Sequence, residues 1–171
     1  MKKSALFTLL IVFFAGVVCA AEKPAVGYVD MRQVFVESKI GKKNMADLDK
    51  LRKEKESALA GEESKLQAMQ QAFQKDQLLM TDAQKLEKQK AFQEKAEAYQ
   101  KMVGEAKQVV SKKDNEYANK SVTDIKAVVA DLAKEMKLHL VLDASGGSVL
   151  YAEEGMDLTQ KVLEKYDAKA K

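Results

Sequence analysis

Apolar positions along the 171-residue chain change their spacing several times, and each spacing predicts a different element. The first is a continuous apolar run, Ala5 to Val18, behind Lys2 and Lys3. It is short for a permanent membrane span and ends in small residues around Cys19, so it predicts a secretory signal peptide over 1–21. After Pro24, Val26-Gly27-Tyr28-Val29-Asp30 is β-branched and aromatic, which predicts a short strand. Met31, Val34 and Phe35 then recur at helical spacing and predict a short helix from Met31 to Glu37.

From Gly41 to about Leu78 helix formers dominate without a proline. Met45, Leu48, Leu51, Ala58, Leu66, Met69 and Phe73 form a thin apolar stripe that Lys55 and Glu62 interrupt. Thr81-Asp82-Ala83-Gln84 is a capping box and predicts a second helix running to about Met136. Along it Ala96, Tyr99, Val103, Ala106 and Val110 keep the three-four alternation of a coiled-coil seam, which returns at Val122, Ile125, Val129 and Leu132. At 1.5 Å per residue the two helices reach about 57 Å and about 82 Å. Folding them at residues 78–82 makes an antiparallel hairpin arm over 41–136.

The flanks, 22–40 and 137–171, predict a small β-rich body. Leu138 to Leu142 reads as a buried strand in which His139 is a packed residue, Gly146-Gly147 as a turn, and Ser148 to Ala152 as a hairpin partner. A closing helix follows, capped by Asp157. So small a body needs partners, and we expect it to be shared between chains through Val26, Tyr28, Val29, Leu140, Leu142 and Val149. The fold class is α+β, mostly helical.

Charge changes the picture in one respect. Without the signal the chain carries 27 basic and 26 acidic side chains, intermixed, which is far from the basic balance of a nucleic-acid binder. Cleavage also removes Cys19, leaving no thiol for disulfides or redox chemistry. With one histidine a zinc site lacks ligands, and no phosphate-binding glycine loop is present, so neither an enzyme nor a cofactor is expected.

Gly27-Tyr28-Val29-Asp30-Met31 with Val34-Phe35, Ser38-Lys39 and Gly41-Lys42 near the start, and Asp157-Leu158-Thr159 with Val162-Leu163 near the end, resemble the OmpH/Skp family over the whole mature chain. The resemblance implies a periplasmic homotrimer with a small barrel body and three helical arms around a cavity. It also implies a holdase that shields unfolded outer-membrane β-barrel proteins from aggregation without nucleotide. Prominent members of that family are strongly basic, whereas this chain is near neutral, so contact with anionic membrane surfaces is expected to be weak.

Read from the residues, Met69, Phe73, Leu78, Leu79, Met80 and Phe92 near the arm's tip are the candidate client contacts, because methionine and phenylalanine adapt to many shapes. Gly61 and Gly104 fall at similar heights on the two helices and are candidate hinge positions. The competing class is a structural coiled-coil spacer of the envelope, for which a denser seam than this one is expected.

Overall fold

The structure, a computed structural model, describes residues 25–169; the apolar run read as a signal peptide, with Cys19, lies outside the described residues. The elements are β1 (Val26–Val29), α1 (Met31–Glu37), α2 (Lys39–Asp76), α3 (Asp82–Glu135), β2 (Leu140–Asp143) and α4 (Thr159–Ala168).

Local chemistry sets each boundary. The Asp30 carboxylate accepts from the Gln33 N–H at 2.8 Å and starts α1. Ser38 then turns out of helical geometry, with ψ 155°, and separates α1 from α2. Its hydroxyl accepts from the Gly41 N–H at 3.0 Å and donates to the Phe35 carbonyl at 3.2 Å. A second free N–H at the start of α2, that of Lys39, donates to Asp167 of α4 at 2.7 Å. Gly41 is needed here, because a Cβ on it would run into the Phe35 carbonyl.

At the far end, Thr81 and Gln84 make the capping box: the Gln84 N–H donates to the Thr81 hydroxyl at 3.3 Å, and the Thr81 N–H to the Gln84 side chain at 2.9 Å. Between the helices, α2 and α3 pack as an antiparallel arm. The inward row on α2 runs through Leu51, Lys55, Leu59, Glu62 and Leu66, so Lys55 and Glu62 belong to the seam instead of breaking it. Leu59, not Ala58, is the half-buried residue at that level, and Met45 is 37% exposed. Along the arm only a few seam positions, Leu48 and Ala106 among them, are buried.

In the body, β1 pairs with β2 in parallel, with Val26 opposite Leu140 and Tyr28 opposite Leu142. Parallel neighbours require a long crossover, and the whole helical arm is that crossover. On its other edge β1 meets Met156–Leu158: the Tyr28 N–H donates to the Met156 carbonyl and the Leu158 N–H to the Tyr28 carbonyl, both at 2.9 Å. This replaces the expected antiparallel hairpin, for Ser148–Ala152 forms no strand. The Asp143 side chain takes the Ser145 N–H and the Asp143 carbonyl takes the Ser148 hydroxyl, each at 2.9 Å, while Gly147 adopts a left-handed φ of 71°. The chain therefore closes into a loop beside β2 instead of returning along it.

One face of the sheet is covered. Val29 and Val34 pack there with Ile125, Val128 and Leu132 of α3, and with Val162 and Tyr166 of α4. The last turns of α3, expected to belong to the arm, are thus part of the body's core. Gly27 permits this packing, since a Cβ on it would lie 2.6 Å from Leu158 Cδ1. His139 is exposed instead of packed, and its Nδ1 accepts from the Ala25 N–H at 3.1 Å, pinning the entry to β1.

Candidate functional site

Helix α2 ends at Asp76 and α3 begins at Asp82, so the connecting turn holds the two helices apart for their last turns. A cavity of about 400 Å³ opens between them there. Met69 and Phe73 face it from α2, Met80 from the turn and Phe92 from α3, with Asp76 and Lys88 as the charged lining groups. All four apolar residues are half-buried, and all four line the cavity. Four of the six residues singled out at the tip are therefore brought into one place.

Leu78 and Leu79 are placed differently. They sit on the apex of the turn, 90% and 89% exposed, and do not line this cavity. Leu86, on the first turns of α3, is also bare, 68% exposed, and was not anticipated. Its signal in the sequence was an apolar residue off the seam, set directly between Lys85 and Glu87.

Further down the arm the seam turns polar. Glu62 is bridged to Lys65 at 2.6 Å. That hydrogen bond and the lysine's charge, with Lys95 adding, outweigh desolvation and hold the Glu62 carboxyl below its usual value. Lys113 lies 4.6 Å from the centre of the Tyr117 ring. Its ammonium is held above its usual value, chiefly by the hydrogen bond to Glu116. Gly61 and Gly104 flank the Glu62–Tyr99 level, and a Cβ at either would meet nothing within 4 Å. Packing does not require glycine at either site.

On the body, the residues expected at a shared interface divide into three groups. Val26, Tyr28, Leu140 and Leu142 lie side by side on the sheet face away from the core, where Leu140 and Leu142 are 51% and 43% exposed. Val29 points the other way and is buried in the protomer's own core. Val149 is half-buried in the loop after Gly147, next to Leu150 and Tyr151, which are almost wholly exposed.

At the arm's root Lys39 and Lys43 share a groove with Lys120 and Lys169, but Asp47 and Asp124 line it too. Lys120 pairs with Asp124 at 2.9 Å and Lys169 with Asp131 at 3.5 Å, so the groove presents no strong single-sign field. Among the described residues there is no cluster of three or more metal-ligating side chains, and no helix is long and apolar enough to cross a membrane.

Comparison with known proteins agrees with this architecture. The chain is 22% identical over 169 residues to a Skp-like protein of Chlamydia muridarum, covering 98% of this chain and 96% of that one. The crystal structure of an OmpH-like protein of Caulobacter crescentus superposes with a TM-score of 0.80 over 92% of both chains, at 20% identity, and so shares the fold. Residues 25–166, from the first strand to the closing helix, match the profile of the outer membrane protein (OmpH-like) family, and the chain belongs to that family.

Proposed function

We propose that this protein is a periplasmic holdase chaperone that binds unfolded outer-membrane β-barrel proteins between its helical arms and keeps them from aggregating. The observation that carries this reading is the distribution of apolar surface. Met69, Phe73, Met80 and Phe92 line one open cavity at the arm's end, and Leu78 and Leu79 stand bare beside it. Adaptable side chains around an open cavity bind many sequences weakly, while the charged faces of the arm keep the empty protein soluble.

The outer face of the sheet, with Val26, Tyr28, Leu140 and Leu142, supplies the surface through which three copies join and hold three arms around a common cavity. Family membership supports the chaperone reading and the periplasmic location, and the apolar run over 1–21 provides the export signal. Binding and release use no nucleotide and no cofactor. A rigid envelope spacer is the weaker reading, because few seam positions along the arm are fully buried.

The test is light scattering of a urea-denatured outer-membrane β-barrel protein diluted with and without the purified mature chain, whose mass is followed by sedimentation in the same buffer. Suppression of scattering at about one trimer per client supports the proposal. Undiminished scattering in the presence of a well-formed oligomer overturns it.

A further inference from the structure

The cavity at the arm's end is built for one kind of side chain. Its apolar walls consist mainly of two thioethers, Met69 and Met80, and two rings, Phe73 and Phe92. Thioether sulfur and ring edges interact with an incoming aromatic ring beyond the area buried, whereas an aliphatic side chain gains only the burial. At about 400 Å³ the space lies near the lower end of ligand-binding clefts, roughly 300–1,000 Å³, which suits a ring with its adjoining backbone and not a helix. The neighbouring gap between Leu66 and Tyr99, about 110 Å³, is too small to extend it.

The polar lining completes the fit. Asp76 and Lys88 carry opposite charges and favour neither sign, while Gln70 and Gln89 offer amide donors and acceptors suited to an extended backbone. We infer that this cavity is an aromatic-ring subsite, one per arm, for an extended segment in which the ring is flanked by uncharged polar residues. This rests on the chaperone reading and deepens it: transmembrane β-strands alternate apolar with polar residues and carry aromatic girdles at their ends. A ring seated there touches α2, the turn and α3 together, so occupancy ties the arm's end shut around its ligand. Leu78 and Leu79 lie outside the subsite and contribute only nonselective apolar contact.

The protein contains no tryptophan, so a ligand's indole can be followed directly. The assembled protein is titrated into an unstructured peptide of Ser, Thr, Asn and Gln with one central Trp, and the blue shift of emission is read. A peptide with Leu in place of Trp is the competitor. The Trp peptide is expected to bind about tenfold more tightly than the Leu peptide, the factor that a ring's extra interactions in such a site provide. Replacing both rings by aliphatics, Phe73→Leu with Phe92→Leu, should erase that preference, and Leu78→Ser with Leu79→Ser should leave it intact.

Should the ring variant lose helicity, Met69→Leu with Met80→Leu is read in its place, with the same expectation. Equal affinity for the two peptides, or a preference that survives loss of the rings or thioethers, overturns the subsite. The scattering assay separates the two readings. Suppressed aggregation without ring preference leaves the holdase standing and removes the subsite; ring preference without suppression keeps the subsite and removes the holdase.

Discussion

The main-chain N–H of Asp30 donates to the hydroxyl of Thr159 at 3.0 Å, a bond between residues 129 apart in the chain. It joins the two short motifs that bracket the arm. Asp30 lies in the first and caps α1, while Thr159 lies in the second and opens α4. Thr159 is only 5% exposed, so water cannot replace its hydroxyl easily. The isosteric Thr159→Val should lower stability by about 1–3 kcal/mol through the orphaned N–H of Asp30. A urea midpoint equal to that of the parent protein would mean that the bond contributes nothing.

Tyr28 and Asp157 face each other beside that bond, and they predict how stability follows pH. Burial pushes the Tyr28 hydroxyl up, and the Asp157 carboxylate adds to the rise. Burial also acts upward on Asp157, but hydrogen bonds from the Thr159 side chain and N–H, together with the Tyr28 phenol, hold its carboxyl below the usual range. A depressed carboxyl contributes stability that is present above about pH 4 and lost as pH falls further. A raised phenol contributes stability that is intact below about pH 10 and lost as pH rises past it. In thermal melts across pH, Tyr28→Phe should remove the alkaline loss and reduce the acid one. Identical profiles for the two proteins would exclude the interaction.

The glycines divide into those that packing demands and those it does not. Gly41→Ala drives a methyl group into the Phe35 carbonyl and should cost about 3 kcal/mol or more by opening the elbow between α1 and α2. Gly61→Ala and Gly104→Ala meet open space and should each stabilise by about 1 kcal/mol, from helix propensity alone. If the two glycines hinge the arm, the double variant also narrows the spread of tip-to-tip distances measured between spin labels. A spread as wide as before would rule the hinge out.

Much of the arm was legible beforehand because its determinants are local. The Thr81–Gln84 box lies within four residues, and an antiparallel fold at residue 80 already places Met69 across from Phe92. What escaped depends on contacts between distant segments. Gly146-Gly147 is a good turn, yet whether the chain returns along β2 is decided by the Asp143 side chain and by Met156–Leu158 claiming the other edge of β1. Val29 and Tyr28 were both expected at the shared interface, although adjacent strand residues face opposite sides of a sheet; which side α3 and α4 cover is decided only by the fold. Ala58 and Leu59 are adjacent apolar residues, and only the partner helix selects Leu59 for the seam.

The apex leucines and the cavity make separate demands. Replacing Leu78, Leu79 and Met80 together by Ser removes the exposed surface and one cavity wall, so it should weaken suppression of client aggregation severalfold while the oligomer's mass stays constant. Full suppression by this variant would show that clients do not use the tip.

The open sheet face predicts the opposite pairing of effects. Leu142 is 43% exposed and takes no part in the protomer's core, so Leu142→Lys should leave the helical signal of a protomer intact. If copies join through that face, the variant sediments as a monomer at micromolar concentrations, because an interface of this kind tolerates no unpaired charge at its centre. An oligomer of unchanged mass would place the interface elsewhere.

The parallel pairing of β1 with β2 also sets an order of assembly. The first strand is made more than a hundred residues before its partner and cannot be completed until the chain is almost finished. The helices between them depend on near neighbours and form on the microsecond scale characteristic of local contacts, whereas distant pairings lag because closing a long loop is entropically unfavourable. Here the prefolded hairpin shortens that loop, bringing the foot of α2 and the end of α3 together before β2 arrives. By this ordering the arm is a splint for its own chain's ends: β1 has neither its partner strand nor its covering helix until β2 and α4 are in place.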